Sequence, residues 1–216
     1  MCSVFHKQAE SGEKQRRRLL KGKSCCDKIA VREKNDCGKA GKAMKKILIV
    51  VDMQNDFIDG ALGTKEAEAI VDNVVKKIGE YPKDCIYATR DTHQENYLNT
   101  QEGRNLPVVH CVEGTKGWEL NEKVAEALKG AVIVNKPSFG SPALADMMAV
   151  EAMSEEIEIE LVGLCTDICV VYNAMLLKAR LPEVKLSVDP SCCAGVTPES
   201  HQAALTTMQM CQIMMK

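Results

Sequence analysis

Four stretches of this 216-residue chain set a chemically capable side chain just after an apolar run. Asp52 follows Ile47 to Val51, Asp91 follows CIYAT and Arg90, Lys136 follows Ala131 to Val134 and Asn135, and Cys165 and Cys169 follow IEIELVGL. A cysteine in the first turn of a helix starting near Thr166 faces unpaired N–H groups and the positive end of the macrodipole, which favour a thiolate. The dipole is worth about 0.3 to 2 kcal/mol and one pKa unit about 1.4 kcal/mol, so the helix alone lowers such a thiol by roughly one unit. A nearby lysine would add to this, and a carboxylate could take the thiol proton and hand it on to a leaving amine. The second chemistry is metal binding. Asp91 and His93 flank one residue and His110 lies 17 positions further on, so three O and N donors could converge on a divalent ion.

These groups need a scaffold that brings distant positions together, and the hydrophobic pattern supplies one. Ile47 to Val51 is an almost continuous β-branched run, as in a strand buried on both faces of a parallel sheet. From Ala67 to Gly79 the apolar positions Ile70, Val71, Val74, Val75 and Ile78 keep helical spacing until Tyr81-Pro82 breaks it. The cycle continues with strand CIYAT, a long polar loop, a helix from Leu120 to Leu128, strand Ala131 to Val134 and a helix after Ser141-Pro142. Strand IEIELVGL, helix TDICVVYNAMLLKAR, strand VKLSV and a last helix opened by Thr197-Pro198 complete it. This alternation predicts an α/β fold, a three-layer α/β/α arrangement around a mainly parallel central sheet with right-handed crossovers. Ligands bind such sheets at the carboxyl ends of the strands, where Asp52, Asp91, Lys136 and the segment from Cys165 to Cys169 all fall.

Composition narrows the class. Hydrophobic residues make up 45% and charged residues 27%, values of an ordinary folded domain. Residues 1–43 hold 12 Lys and Arg against 5 Asp and Glu, whereas residues 44–216 hold 16 against 25. The basic segment lacks a sustained period and has few apolar residues, so it is expected to be a disordered extension, with the folded domain spanning 44–216. Its Arg16, Arg17 and Arg18 are read as solvated charge, with no nucleic acid expected. No run is apolar and long enough for a membrane span, and no secretory signal is visible, which points to the cytoplasm. The eleven cysteines contain no CxxC pair, so reduced thiols are expected rather than disulfides or a cysteine-built zinc site.

Three motifs then carry a family resemblance. VDMQNDFIDGALG after the first strand, NKPSFG around Lys136 and GLCTDICV opening a helix resemble the cysteine hydrolases of the isochorismatase-like superfamily, whose nicotinamidases are amidases; the similarity runs from about Lys46 to Ile213. The resemblance implies Asp52 as base, Lys136 as orienting cation and Cys169 as nucleophile. It implies an oxyanion site from the backbone N–H groups of Cys165 and Cys169, with a cis Leu164–Cys165 bond, and Phe57 as a wall of the substrate pocket. It implies a divalent metal on Asp91, His93 and His110, with Glu102 as the fourth ligand because Asn99 stands where many relatives place a histidine. Zinc is the expected ion, with manganese or iron as alternatives. Pro107 and Ala143 replace aromatics that relatives use against the pyridine ring, which leaves Trp118 or Tyr97 as candidate stacking partners.

The reading that follows is an amidase hydrolysing the carboxamide of nicotinamide or a close analogue, a small-molecule partner, through a Cys169 thioester. The first alternative keeps the thioester but takes a carbamoyl or ureido amide that needs no metal. Isochorismate hydrolysis is disfavoured because relatives with that chemistry lack the nucleophilic cysteine, and a non-catalytic thiol-rich metal or redox protein would leave Asp52 and Lys136 unexplained. Assembly as a homo-oligomer is left open.

Overall fold

The computed structural model describes residues 44–216; the disordered extension expected over residues 1–43 lies outside the described residues. Strand β1 (Lys45–Val51) is central, and each residue from Ile47 to Val51 is no more than 1% exposed. Helix α1 (Asn55–Ile58) is a single turn, and α2 (Lys65–Ile78) is the amphipathic crossover. Thr64 caps α2 through the Ala67 N–H, and Ala67, Ile70, Val71, Val74 and Ile78 form its buried stripe. Strand β2 (Ile86–Asp91), the short α3 (Gln101–Asn105), α4 (Glu122–Ala127) and β3 (Val132–Lys136) follow. Helix α5 (Pro142–Ser154) starts on a Ser141 cap with proline in its first turn, and leads to β4 (Ile157–Leu164). A wide π-type turn, Thr166–Val170, then runs into α6 (Val171–Arg180), followed by β5 (Lys185–Ala194), α7 (Pro198–Met210) and β6 (Met214–Met215).

All strand pairs are parallel and the order is β3-β2-β1-β4-β5-β6. Helix α2 packs on β4 and β5 beside α4, while α5, α6 and α7 pack in succession. The expected α/β architecture is therefore present, with local departures, among them the short helices α1 and α3 where no helix was expected. The last strand pattern continues past Val188 to Ala194 through an irregularity opposite Leu161 to Gly163, and the two-residue β6 was too short to show any period.

The chain leaves β1 toward one edge of the sheet and leaves β4 toward the other, so the adjacent ends of β1 and β4 form the switch point where α/β sheets open a crevice. Gly163 lets those ends approach: its φ is +115°, and a Cβ there would lie 2.1 Å from the Val51 carbonyl oxygen. Gly163→Ala is thus expected to combine backbone strain with overpacking, costing about 3 kcal/mol or more. A thermal melt should show a drop of roughly 10 °C.

Candidate active site

Lys136, the last residue of β3, is 1% exposed, and its ammonium has no route to solvent. Its Nζ lies 2.7 Å from Asp52 Oδ2, 3.1 Å from Asp91 Oδ1 and 3.4 Å from Cys169 Sγ, and donates to the Ser138 carbonyl at 3.1 Å. The three residues that the motifs nominated as a triad therefore meet around one cation. Asp52 follows β1 with φ +47°, a conformation uncommon for a side-chain-bearing residue. Its backbone N–H donates to the Thr89 carbonyl, and the Thr89 hydroxyl donates to Oδ1 at 2.6 Å. Oδ1 is thereby occupied, and Oδ2 faces the lysine without a bond of hydrogen-bonding geometry.

Cys169 sits inside the Thr166–Val170 turn, as its position near a helix start led us to expect, and is 5% exposed. The Cys165 carbonyl accepts from the N–H groups of Ile168 and Val170, closing a turn one residue wider than an α-turn. The Leu164–Cys165 bond is cis. The helix-start argument for a thiolate meets an opposing effect here. Burial, reinforced by the Asp52 charge, pushes the Cys169 thiol well above its usual range, and the opposing pull of Lys136 does not offset it. Burial also pushes the Asp52 carboxyl up against the pull of Lys136, whereas the carboxylates around Lys136 hold it protonated.

Beside this triad Asp91, His93, Glu102 and His110 bring one ligand atom each to within 4.8 Å of one another. His93 Nε2 is 2.8 Å from Asp91 Oδ2 and 3.6 Å from Glu102 Oε1; His110 Nε2 is 3.7 and 3.9 Å from the same two oxygens. The chemistry of the set suits a divalent ion. His110 Nδ1 is 2.8 Å from the Val108 carbonyl, which leaves Nε2 as the nitrogen turned to the cluster. His93 Nε2, although close to Asp91, lacks hydrogen-bonding geometry to any partner, an orphaned buried nitrogen of the kind a metal satisfies. Glu102, expected as fourth ligand in place of Asn99, is brought to the cluster, whereas Asn99 is exposed. Gln54 fixes the backbone beneath Asp91: its Oε1 accepts the Asp91 N–H at 2.7 Å and its Nε2 donates to the carbonyls of Asp91 and Trp118.

A cavity of about 50 Å³, room for a few waters, joins the two groups. Cys169 and Cys165 line it on one side and Asp91, Glu102 and His110 on another, with apolar walls of Phe57, Leu62, Leu106, Phe139 and Ile168. Phe57, expected as a wall of the substrate pocket, lines this cavity. The suggested stacking partners do not: Trp118 donates its Nε1–H to Thr92 with Arg90 stacked 3.9 Å over its ring, and Tyr97 is fully buried behind His93 and His110. Phe139 takes that place, and its nearness to Lys136 in NKPSFG was the signal that could have found it. Thr89 was also missed; it reads as one more strand residue until the sheet sets it beside Asp52.

The isochorismatase domain family matches residues 46–216, and the chain belongs to that family. Within it the chain is related to nicotinamidases. It is 30% identical over 179 residues to the isochorismatase family protein PncA of Bacillus subtilis, covering 76% of this chain and 93% of that protein. It is 28% identical over 188 residues to the nicotinamidase/pyrazinamidase of Mycobacterium tuberculosis, covering 78% and 96%. Among solved structures it resembles the pyrazinamidase of Pyrococcus horikoshii in complex with zinc, with a TM-score of 0.64, 27% identity and coverage of 80% and 98%.

The electrostatics yield a direct test. With its thiol pushed above the usual range, Cys169 should alkylate with iodoacetamide at a rate that climbs about tenfold per pH unit from pH 7 to 9. A site-resolved mass-spectrometric rate that levels off near pH 7 would show a thiolate already formed at rest.

Proposed function

We propose that residues 44–216 hydrolyse the carboxamide of nicotinamide, or of a close analogue, to the acid and ammonia through a thioester on Cys169. The observation that carries this reading is the buried ammonium of Lys136 in contact with Asp52, Asp91 and Cys169, of which Asp91 and Cys169 line a small, apolar-walled cavity. Nicotinamidase relatives in Mycobacterium tuberculosis and Saccharomyces cerevisiae support the substrate class.

The proposed steps use this geometry. Asp52 takes the Cys169 proton as sulfur attacks the amide carbon, so a C–S bond forms and the carbonyl π electrons move onto oxygen. A carboxyl raised by burial toward the working pH suits proton exchange in both directions. The oxyanion is assigned to the N–H groups of Cys165 and Cys169, in a site where fixed donors act without water screening. As the C–N bond breaks, Asp52 returns its proton to nitrogen and ammonia leaves. Water then attacks the thioester with Asp52 as base, releasing the acid and restoring the thiol. Lys136 stays protonated throughout and orients Asp52 toward sulfur. Asp91, His93, Glu102 and His110 would hold a divalent ion, which when bound supplies a Lewis-acid position for a ring nitrogen of the substrate. Phe57 and Phe139 enclose the ring.

Ammonia release should be measured on nicotinamide, pyrazinamide and several ureido acids, with metal content determined before and after chelation. Nicotinamide and pyrazinamide turnover is expected, lost in folded Cys169→Ala and weakened by chelation, while Cys169 still alkylates. Turnover confined to ureido acids and indifferent to chelation would favour the metal-independent alternative, and native-like turnover by Cys169→Ala would sink the thioester.

A further inference from the structure

The segment that leaves β3 is tied to the Cys169 turn by one buried amide. Asn173, in the first turn of α6, is 1% exposed. Its Oδ1 accepts the Ser141 N–H at 2.9 Å, and its Nδ2 donates to the carbonyls of Phe139 at 3.1 Å and Cys169 at 2.8 Å. Asparagine is a poor helix former because its side chain competes for backbone groups. Here that competition links two segments: one bond goes back a helical turn to Cys169 and the other two reach across to the loop.

That loop carries two parts of the site. The Ser138 carbonyl accepts from Lys136 Nζ, and the Phe139 ring walls the cavity. Its other side rests on the residue beside Asn173, since a Cβ added at Gly140 would come within 2.3 Å of the Tyr172 ring. Lys136, Phe139 and Cys169 thus share a common reference point in one side chain.

We propose that Asn173 is a positioning residue, setting the spacing between Cys169 and the loop that orients Lys136 and carries Phe139. This rests on the amide-hydrolase reading above. A purely structural asparagine would change the folded fraction, whereas a positioning one changes the turnover of fully folded protein.

The test compares the native chain with Asn173→Ala and Asn173→Ser, well below their melting temperatures. We expect kcat for nicotinamide to fall roughly tenfold or more with a smaller change in KM. Hydrogen exchange at the Ser141 amide should quicken by roughly tenfold, while the amides of β1 stay protected. A folded variant with kcat within about twofold of native, or with Ser141 exchange unchanged, would overturn the proposal. Unfolding of both variants would assign Asn173 a structural role and overturn it as well. If the native chain releases ammonia from no amide, the hydrolase reading fails separately. Ser141 exchange together with the Cys169 alkylation rate, unchanged in both variants, would then be the result that rejects the tether.

Discussion

The structure depends on one buried ammonium. Taking a lysine charge out of water costs several kcal/mol even after relaxation, and only close, well-placed opposite charges offset it. Lys136 is offset by Asp52 on one side and Asp91 on the other, residues at the ends of three different strands. That requirement ties β1, β2 and β3 into one register, because a slip of one residue would turn a partner to the opposite face and leave a charge unpaired. Asp91 and Lys136 are indeed register partners across the β2–β3 pair. The same cation contacts Cys169 from β4's side of the switch point, so the constraint that stabilises the sheet end also gathers the reactive groups.

The balance of energies at Cys169 shows what a local argument omits. A helix N-terminus contributes at most about 2 kcal/mol toward an anion, whereas burying a charge costs several. Spacing along the chain reveals the first term and is silent on the second, since burial comes from elements far away in sequence. The consequence is chemical. On the proposed mechanism, a thiol pushed up by burial needs its base within reach at the moment of attack, and the Thr89 hydroxyl, by occupying Oδ1 of Asp52, leaves Oδ2 as the oxygen beside the lysine.

Much of the scaffold was legible because its signals are local. Continuous β-branched runs marked the buried strands, a 3.6-residue period and caps marked α2, α5 and α7, and the chemically capable residues stood where those runs ended. Glu102 came from the family resemblance rather than from any period, and the structure sets it in the cluster. Trp118 and Tyr97 were the reverse case. Both are aromatics near the site in sequence, but one is held outside under Arg90 and the other is used to back two imidazoles. Which way a loop aromatic faces is decided by what packs behind it, and a single sequence does not display that. Thr89 and Asn173 escaped for a related reason: each matters through a hydrogen bond to a residue remote in the chain or across a loop.

Asp91 joins the two halves of the site. Its Oδ1 faces Lys136 and its Oδ2 faces His93, so a single carboxylate is shared between the thiol centre and the cluster suited to a metal. Burial alone would raise this group, but the imidazole and the ammonium hold it below its usual range, and it stays ionised for both roles. Gln54 then acts on both at once by clamping the Asp91 backbone from each side, N–H and carbonyl together. A ligand entering the cavity therefore meets two groups whose separation is fixed through one residue: a sulfur at one wall and a set of N and O donors at the other. On the proposed reading, a rigid ring bearing an amide at one position and a lone pair at another would meet both groups at once. On the same reading a flexible ureido chain would surrender more conformational entropy to meet both.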